Sequence, residues 1–238
     1  MKQSNSINNI LKKYPLILGK GEKNKQKSES DIDTNQLKQL FNIEATEYYA
    51  SKIKIFTIDN DNKKFLNQLC RYFSQDKAFE TVHNGDLNKG MFIYGGHGTG
   101  KTSSLLIIQQ ISKKYALKQL WFPIIETDDV VMKFNTEKNK DFIIKDYSTG
   151  NYMFDDLGAE TSASNIFIYG KEDIFIRILE ARYVQFISKG TITHITSNLT
   201  LSEIKKRYGP RVEDRFIEMF NIIELGGDSR RHKFYKSS

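Results

Sequence analysis

The sequence predicts an α/β fold in which a parallel sheet is covered by helices on both faces. Short apolar segments alternate with helical periodicities from about residue 52 onward. One apolar segment runs directly into a glycine-rich turn that begins a helix, and polar motifs follow other segments. Because the carboxyl ends of parallel strands meet at one edge of a sheet, these motifs are expected to converge there.

The predicted strands are short and rich in apolar or β-branched residues. They cover residues 52–58, 91–94, 120–125, 152–154, 191–196 and 221–225. The helical spacing of apolar residues predicts helices between them, at residues 60–74, 101–115, 126–134, 172–188, 202–208 and 212–216. This alternating order predicts right-handed crossovers between parallel strands.

Residues 1–50 differ from the rest of the chain and are expected to form a separate, small helical region. Apolar residues at helical spacing occupy residues 7–14, and the polar, charged residues 19–35 predict a flexible linker. A second helical pattern begins behind Asp33 or Thr34 as its N-cap. Two interpretations stay open for this region: a solvated tail, or an amphipathic segment that docks on a partner protein.

The composition is that of one ordinary globular domain with a short extension. The chain has 238 residues, of which 39% are hydrophobic, and a formal net charge of +7. Its single cysteine, Cys70, excludes an internal disulfide or a cysteine-based zinc site. No segment resembles a signal peptide or a membrane span, so a cytoplasmic protein is expected. The positive charge suits a polyanionic partner but does not specify one.

The glycine-rich turn matches the pattern Gly-x4-Gly-Lys-Thr of phosphate-binding loops. Glycines let backbone N–H groups turn toward an anion, and the helix amino terminus adds its positive dipole. Lys101 is expected to bridge the terminal phosphates of ATP, and Thr102 to offer a hydroxyl to Mg²⁺. The predicted ATP-binding residues are Gly95, Gly96, His97, Gly98, Thr99, Gly100, Lys101, Thr102 and Ser103.

Two polar motifs at strand ends complete a predicted hydrolytic site. Asp155 and Asp156 follow the strand at 152–154. Asp155 is expected to hold the hydrated Mg²⁺, and Asp156 to orient or deprotonate the attacking water. Asn198 follows the strand at 191–196, where an amide could help to hold the same water. For Asn198 the alternative is an ordinary asparagine in a turn.

Arginines near the carboxyl terminus are candidates for charge stabilisation in the transition state. Arg211 and Arg215 are four residues apart, so one helix face can carry both, and Arg230 and Arg231 follow the last predicted strand. An arginine supplied by a neighbouring subunit would make hydrolysis depend on assembly. The alternative for each arginine is a solvated surface charge.

The order of these motifs resembles that of a known family. The chain resembles the DnaC/DnaI-type replicative helicase loaders in five successive motifs. These are the phosphate loop, Phe-Asp-Asp-Leu-Gly-Ala-Glu at 154–160, Thr-Ser-Asn-Leu at 196–199, Arg-Val-Glu-Asp-Arg at 211–215 and a closing Arg-Arg. These loaders are AAA+ ATPases, related to the IstB-like transposition helpers. The resemblance covers about residues 60–235.

The resemblance implies an AAA+ ATPase domain at residues 51–238, with a five-stranded parallel sheet in the order 5-1-4-3-2. It also implies roles for individual residues: Lys101 and Thr102 in Walker A, Asp155 and Asp156 in Walker B, Asn198 as sensor 1, Arg215 as a finger acting on the neighbouring subunit, and Arg231, with Arg230 as the second choice, as sensor 2. Asp156 stands where many AAA+ proteins have Glu, which predicts slow basal hydrolysis. Zinc is not expected.

The function that the resemblance implies is the ATP-dependent loading of a ring-shaped hexameric helicase onto single-stranded DNA. Residues 1–50 would bind the helicase, and the ATPase domain would self-associate across its ATP site. Residues 160–169 are either a DNA-contacting loop or a plain connector. The alternative function is that of an IstB-like, ATP-switched DNA-binding protein that serves a transposase. A small-molecule kinase fits less well, because the polar residues suit water as the acceptor.

Overall fold

A parallel sheet of five strands carries the fold in the computed structural model, which describes residues 32–160, 164–167 and 170–231. In the chain order of all strands, they are β1 (Gly90–Tyr94), β2 (Ile124–Glu126), β3 (Tyr152–Leu157), β4 (Ser164–Phe167), β5 (Gly170–Asp173), β6 (Thr193–Ser197) and β7 (Phe220–Glu224). The sheet order is β2-β3-β6-β1-β7, and β4 and β5 form a separate antiparallel pair. When the sheet strands alone are numbered along the chain, this is the expected order 5-1-4-3-2, which is therefore confirmed.

Helices pack on both faces of this sheet. They are α1 (Thr34–Ala50), α2 (Lys63–Phe73), α3 (Ala78–His83), α4 (Lys101–Tyr115), α5 (Thr127–Thr136), α6 (Lys140–Ser148), α7 (Ile174–Lys189), α8 (Leu201–Tyr208) and α9 (Pro210–Met219). Successive residues of β1 point to opposite faces: Met91 and Ile93 join one hydrophobic core, and Phe92 joins the other. None of the described helices has the length and apolar character that crossing a membrane requires.

Most predicted elements are confirmed with shifted ends, but one predicted strand is absent. Residues 52–58 form no strand: Ile53 lies in a turn and both Ile53 and Ile55 are exposed, so the alternating pattern there has no sheet to join. The strand predicted at 120–125 begins late, because Lys118–Leu120 form a 3₁₀ turn. The strand predicted at 152–154 continues through both aspartates to Leu157. Helices α3 and α6 and the β4–β5 hairpin were not predicted.

Helix α1 packs with the core that carries the sheet rather than apart from it. The predicted cap is confirmed: the Asp33 carboxylate accepts hydrogen bonds from two backbone N–H groups of the first turn. Leu37 and Leu40 are buried in the same hydrophobic core as α4. Lys114 on α4 donates to Glu44 at 2.8 Å and to Glu47 at 2.9 Å. The boundary predicted after residue 50 therefore does not separate two cores, and residues 1–31 lie outside the described residues.

His194 on β6 is enclosed in the core. Its ring packs against the aromatic rings of Tyr72, Phe73 and Phe122, and its Nδ1 accepts a hydrogen bond from the Met91 N–H at 3.2 Å. Burial lowers the pKa of His194 from its ordinary value of 6.5 to about 3. The neutral imidazole is thus part of the packing between the sheet and the helices.

The stability of the fold should fall in acid because of His194. Between pH 6.5 and about 3 the unfolded chain binds a proton at His194 that the native chain does not. We therefore expect the free energy of unfolding to fall by about 1.4 kcal/mol per pH unit below 6.5 through this group. In urea titrations at pH 7 and pH 5, His194→Asn should show a smaller pH dependence than the wild type. His97→Asn, at an exposed histidine, is the control; an equal pH dependence in all three proteins would contradict this assignment.

Candidate nucleotide-binding site

The phosphate loop lies where predicted, between β1 and α4. Its conformation requires glycine at two positions in particular. Gly95 has φ +148, and a Cβ there would lie 2.1 Å from the Leu225 carbonyl oxygen. Gly98 has φ +75, and a Cβ there would lie 2.3 Å from the Ser229 hydroxyl. The loop thus packs closely against the segment that follows β7, and its backbone turns at positions that other residues rarely adopt.

Lys101 holds its ammonium group inside the loop. The residue is 5% exposed, and its Nζ donates to the carbonyl oxygens of Gly95 and Gly96, both at 2.8 Å. A third bond runs to Asn198 Oδ1 at 2.9 Å. Burial lowers the pKa of Lys101, and the nearby carboxylates of Asp155 and Asp156 act in the opposite direction. The predicted amide and the predicted lysine therefore meet in one place.

Asp155 is buried beside the start of α4. Thr102 Oγ1 donates to Asp155 Oδ1 at 2.8 Å, and the Thr196 hydroxyl donates to the same oxygen. Burial raises the pKa of the Asp155 carboxyl, while both hydroxyl bonds act to lower it. A hydroxyl and a carboxylate in contact are hard oxygen donors of the kind that Mg²⁺ prefers. They fit a cation that takes its other ligands from phosphate and water.

Asp156 is exposed, unlike its neighbour Asp155. The register between β3 and β6 shifts between Phe154 and Leu157, and Asp156 has a left-handed backbone with φ +57. Its N–H donates to Thr196 Oγ1 at 3.0 Å. Its side chain faces Asn198, whose Nδ2 donates to Asp156 Oδ1 at 3.4 Å. The two carboxylates therefore have different environments: one is held against the loop, and the other points into solvent beside the amide.

The two arginines after β7 also reach the loop. The backbone N–H of Arg230 donates to the Gly98 carbonyl at 2.9 Å, and its guanidinium binds both carboxylate oxygens of Asp59, at 2.7 and 3.0 Å. Arg231 is exposed, and both arginines line the cavity above Lys101. Arg230 is thus engaged in an ion pair, whereas Arg231 has the more exposed side chain.

The cavity has a volume of about 300 Å³ and includes residues that the sequence did not single out. Tyr48, Tyr49, Lys52 and Lys54 line it beside the predicted residues. The hydroxyls of Tyr49 and Ser103 are hydrogen-bonded at 2.8 Å, which joins the end of α1 to the loop helix. The only signal in the sequence was a pair of tyrosines ending a helical pattern, and nothing local indicated which surface they would face.

An adjoining slot of about 70 Å³ continues from the loop. Its walls include Tyr49, Phe56, Leu66 and Leu225, and Thr57 adds a polar edge. The mixture of flat apolar walls and a few polar groups suits a planar heterocycle. The cavity beside Lys101 and this slot therefore lie side by side.

Arg215, the predicted arginine finger, does not line this cavity. Its Nη1 lies 2.9 Å from Glu180 Oε1, and its guanidinium lies 4.8 Å from the centre of the Tyr183 ring. Arg211 Nε lies 3.3 Å from the same Glu180 oxygen. The prediction that Arg211 and Arg215 share a helix face is confirmed. The described chain places that face on α7, away from its own phosphate loop.

The sheet order and the placement of the site define a class of protein. A glycine loop after β1, a carboxylate pair on β3 and an amide after β6 meet at the carboxyl edge of a parallel sheet of order 5-1-4-3-2. This is the fold of the P-loop AAA+ ATPases.

Comparison with known proteins supports the narrower resemblance, although no protein-family model matches the chain. The replicative helicase loader DnaI of Bacillus subtilis (strain 168) is 23% identical over 225 residues, which is 78% of this chain and 69% of DnaI. A crystal structure of DnaI has a TM-score of 0.52 at 20% identity and covers 74% of this chain and 88% of its own. The resemblance to the DnaC/DnaI-type loaders is confirmed.

A second solved structure supports the fold. It is a putative primosome component from Streptococcus pyogenes serotype M3, with a TM-score of 0.50 at 17% identity. It matches 73% of this chain and 84% of its own length. At such identities the two structural matches show a shared fold.

Lys101→Met should separate ligand binding from stability. Methionine removes the cost of burying an ammonium group, which offsets the lost hydrogen bonds, so the free energy of unfolding should stay within about 1 kcal/mol of the wild type. Affinity for a fluorescent ATP analogue should fall by about 100-fold or more, because a charge-assisted contact to phosphate is lost. Lys113→Met, at an exposed lysine of the same helix, is the matched control. Tight binding by Lys101→Met would contradict the assignment.

Proposed function

We propose that this chain is an ATP-dependent helicase loader that hydrolyses ATP at an interface between subunits. The observation that carries the proposal is the convergence of Lys101, Thr102, Asp155, Asp156 and Asn198 at one edge of the sheet. The sequence similarity to DnaI supports the loader class. ATP and Mg²⁺ are the proposed ligands, and ATP and water the proposed reactants.

The loop and its lysine would bind the phosphates. Backbone N–H groups and the amino terminus of α4 attract the anion, and Lys101 exchanges its carbonyl partners for phosphate oxygens. Thr102 and Asp155 would hold Mg²⁺, which when bound neutralises phosphate charge. The slot beside Phe56 and Leu225 would take the adenine ring. Arg231, with its exposed side chain, is the better placed sensor 2 residue, because Arg230 is bound to Asp59.

Asp156 and Asn198 would hold the attacking water. Both residues line the cavity, and Asn198 Nδ2 lies 3.4 Å from Asp156 Oδ1. Asp156 would accept the proton of the water or orient its lone pair, and Asn198 would contact the water and the Lys101 ammonium together. An aspartate reaches less far than a glutamate, so basal hydrolysis is expected to be slow.

Arg215 would act on the ATP site of a neighbouring subunit. It does not line its own cavity, and its ion pair with Glu180 and its contact with Tyr183 hold it against helix α7. An arginine that completes a phosphoryl-transfer site contributes about 10³-fold or more to the rate. Self-association would therefore switch hydrolysis on.

Mixing two inactive variants tests hydrolysis across subunits. Lys101→Ala and Arg215→Ala should each lose hydrolysis by about 10³-fold or more, and their equimolar mixture should recover part of it, because each supplies what the other lacks. The measurement is phosphate release with and without single-stranded DNA. Arg211→Ala is the control, since Arg211 contacts the same Glu180 but is 72% exposed. No recovery in the mixture and no effect of DNA would contradict the proposal.

The partners of the ATPase would be single-stranded DNA and a ring-shaped hexameric helicase, which places its action in the cytoplasm. The net charge of +7 supports contacts with a phosphate backbone, whose binding would weaken as salt rises. The amino-terminal region is the proposed helicase-binding part. Since α1 is built into the core, we assign helicase binding to residues 1–31, which lie outside the described residues.

Removing residues 1–31 tests the partner assignment. The truncated chain should keep its affinity for a fluorescent ATP analogue, because α1 remains, but it should lose capture of a purified hexameric replicative helicase by about 100-fold. The full chain, immobilised at its carboxyl end, is the reference. Capture of a transposase from the same genome by the full chain, with no capture of helicase, would favour the transposition helper instead.

A further inference from the structure

The turn after the two aspartates is held by the far end of helix α8. Arg207 Nη1 donates to the Gly158 carbonyl at 2.8 Å, and Nη2 donates to the Glu160 carbonyl at 2.8 Å. The same Nη2 also donates to Glu160 Oε1 at 2.9 Å, and the Tyr208 hydroxyl donates to that oxygen. Glu160 Oε2 in turn accepts the Gly158 N–H at 2.7 Å. The side chains and the backbone of the turn thus form one closed set of hydrogen bonds.

The near end of α8 is fixed beside Asn198. The helix begins at Leu201 behind a capping box, in which the Thr200 and Glu203 side chains bond to each other's backbone N–H. On the other side of Asn198, the Ser197 hydroxyl donates to the Leu157 carbonyl at 2.5 Å. A single short helix therefore connects Asn198 at one end to the turn behind Asp156 at the other.

Close packing leaves this turn little freedom. Gly158 has φ +97, and a Cβ there would lie 2.4 Å from Leu199 Cδ1. Asp156 itself keeps a left-handed backbone, which a non-glycine residue adopts only where its surroundings hold it. The Asp156 carbonyl oxygen accepts a hydrogen bond from Thr127 Oγ1 at 3.1 Å. Asp156 is therefore held by Thr127 as well as by the turn that follows it.

We infer that Glu160, Arg207 and Tyr208 form a positioning clamp that fixes Asp156 against Asn198 for hydrolysis. The clamp residues act through the turn and are not themselves catalytic residues. The Glu160 side chain is 1% exposed and that of Arg207 is 28% exposed. A buried carboxylate–guanidinium pair contributes little net stability over apolar packing but imposes a specific geometry. The inference rests on the proposed ATPase function, since it concerns the residues that hold the water.

The clamp predicts a loss of rate without a loss of binding. In Glu160→Gln and Arg207→Lys the turn loses its bidentate, charged contacts, so kcat for ATP hydrolysis should fall by about 10-fold to 100-fold. The Kd for a fluorescent ATP analogue should not change, because Lys101 and Thr102 keep their partners. Tyr208→Phe removes one hydroxyl and should lower kcat less. Lys205→Ala is the matched control: Lys205 lies on the same helix but pairs with Glu213 at 2.7 Å, away from the turn.

Chemical rescue tests whether the loss of rate comes from a misplaced Asp156 or from a damaged fold. Arg207→Ala should lose kcat, and ethylguanidinium at a non-denaturing concentration should restore part of it. Wild-type kcat in the three clamp variants would overturn the clamp alone. The clamp would also be overturned if kcat, nucleotide affinity and Tm all fell in Tyr208→Phe and ethylguanidinium did not rescue Arg207→Ala. That combination is the behaviour of a purely structural contact. Absence of hydrolysis by the wild type with single-stranded DNA would overturn both the proposed function and the clamp.

Discussion

Lys101 lies at the edge of the sheet where β1 and β6 end, and its buried ammonium group constrains everything around it. An ammonium removed from water must be hydrogen-bonded, and here two loop carbonyls and the Asn198 amide oxygen meet that requirement. The loop curls toward the lysine, and the parallel pairing of β6 with β1 brings Asn198 beside it. In the proposed function, the ammonium group exchanges these neutral partners for phosphate oxygens.

The adjacent aspartates show how one strand end can supply two chemical environments. Asp155 is buried and accepts two hydroxyl donors, whereas the register shift turns Asp156 outward into an exposed, left-handed position. A pair of identical side chains thereby acquires separate tasks, one beside the proposed cation and one beside the proposed water. Arg207 holds the turn that follows Asp156. The path of the backbone through that turn affects the direction in which the Asp156 side chain points.

Helix α1 provides a physical connection between the proposed partner-binding region and the proposed nucleotide site. Helix α1 shares a hydrophobic core with the loop helix α4, and Lys114 binds two of its glutamates. The Tyr49–Ser103 hydrogen bond then reaches the residue next to Thr102. Helix α1, which was expected to belong to a separate region, is instead continuous with the residues that line the proposed ATP site.

The sequence by itself determined the features that depend on neighbours in the chain: the phosphate loop, helix 101–115 and a helix cap at Asp33 or Thr34. Local hydrogen bonding and side-chain periodicity fix these within a few residues. Tertiary structure alone decided the surroundings of Arg215, the turned backbone of Asp156 and the bond between Arg207 and the Glu160 carbonyl, 47 residues apart. Such contacts depend on which surfaces pack together, and a short sequence pattern carries no record of that. Residues 52–58 form no strand for the same reason: their apolar residues do not show whether a neighbouring strand is present to pair with.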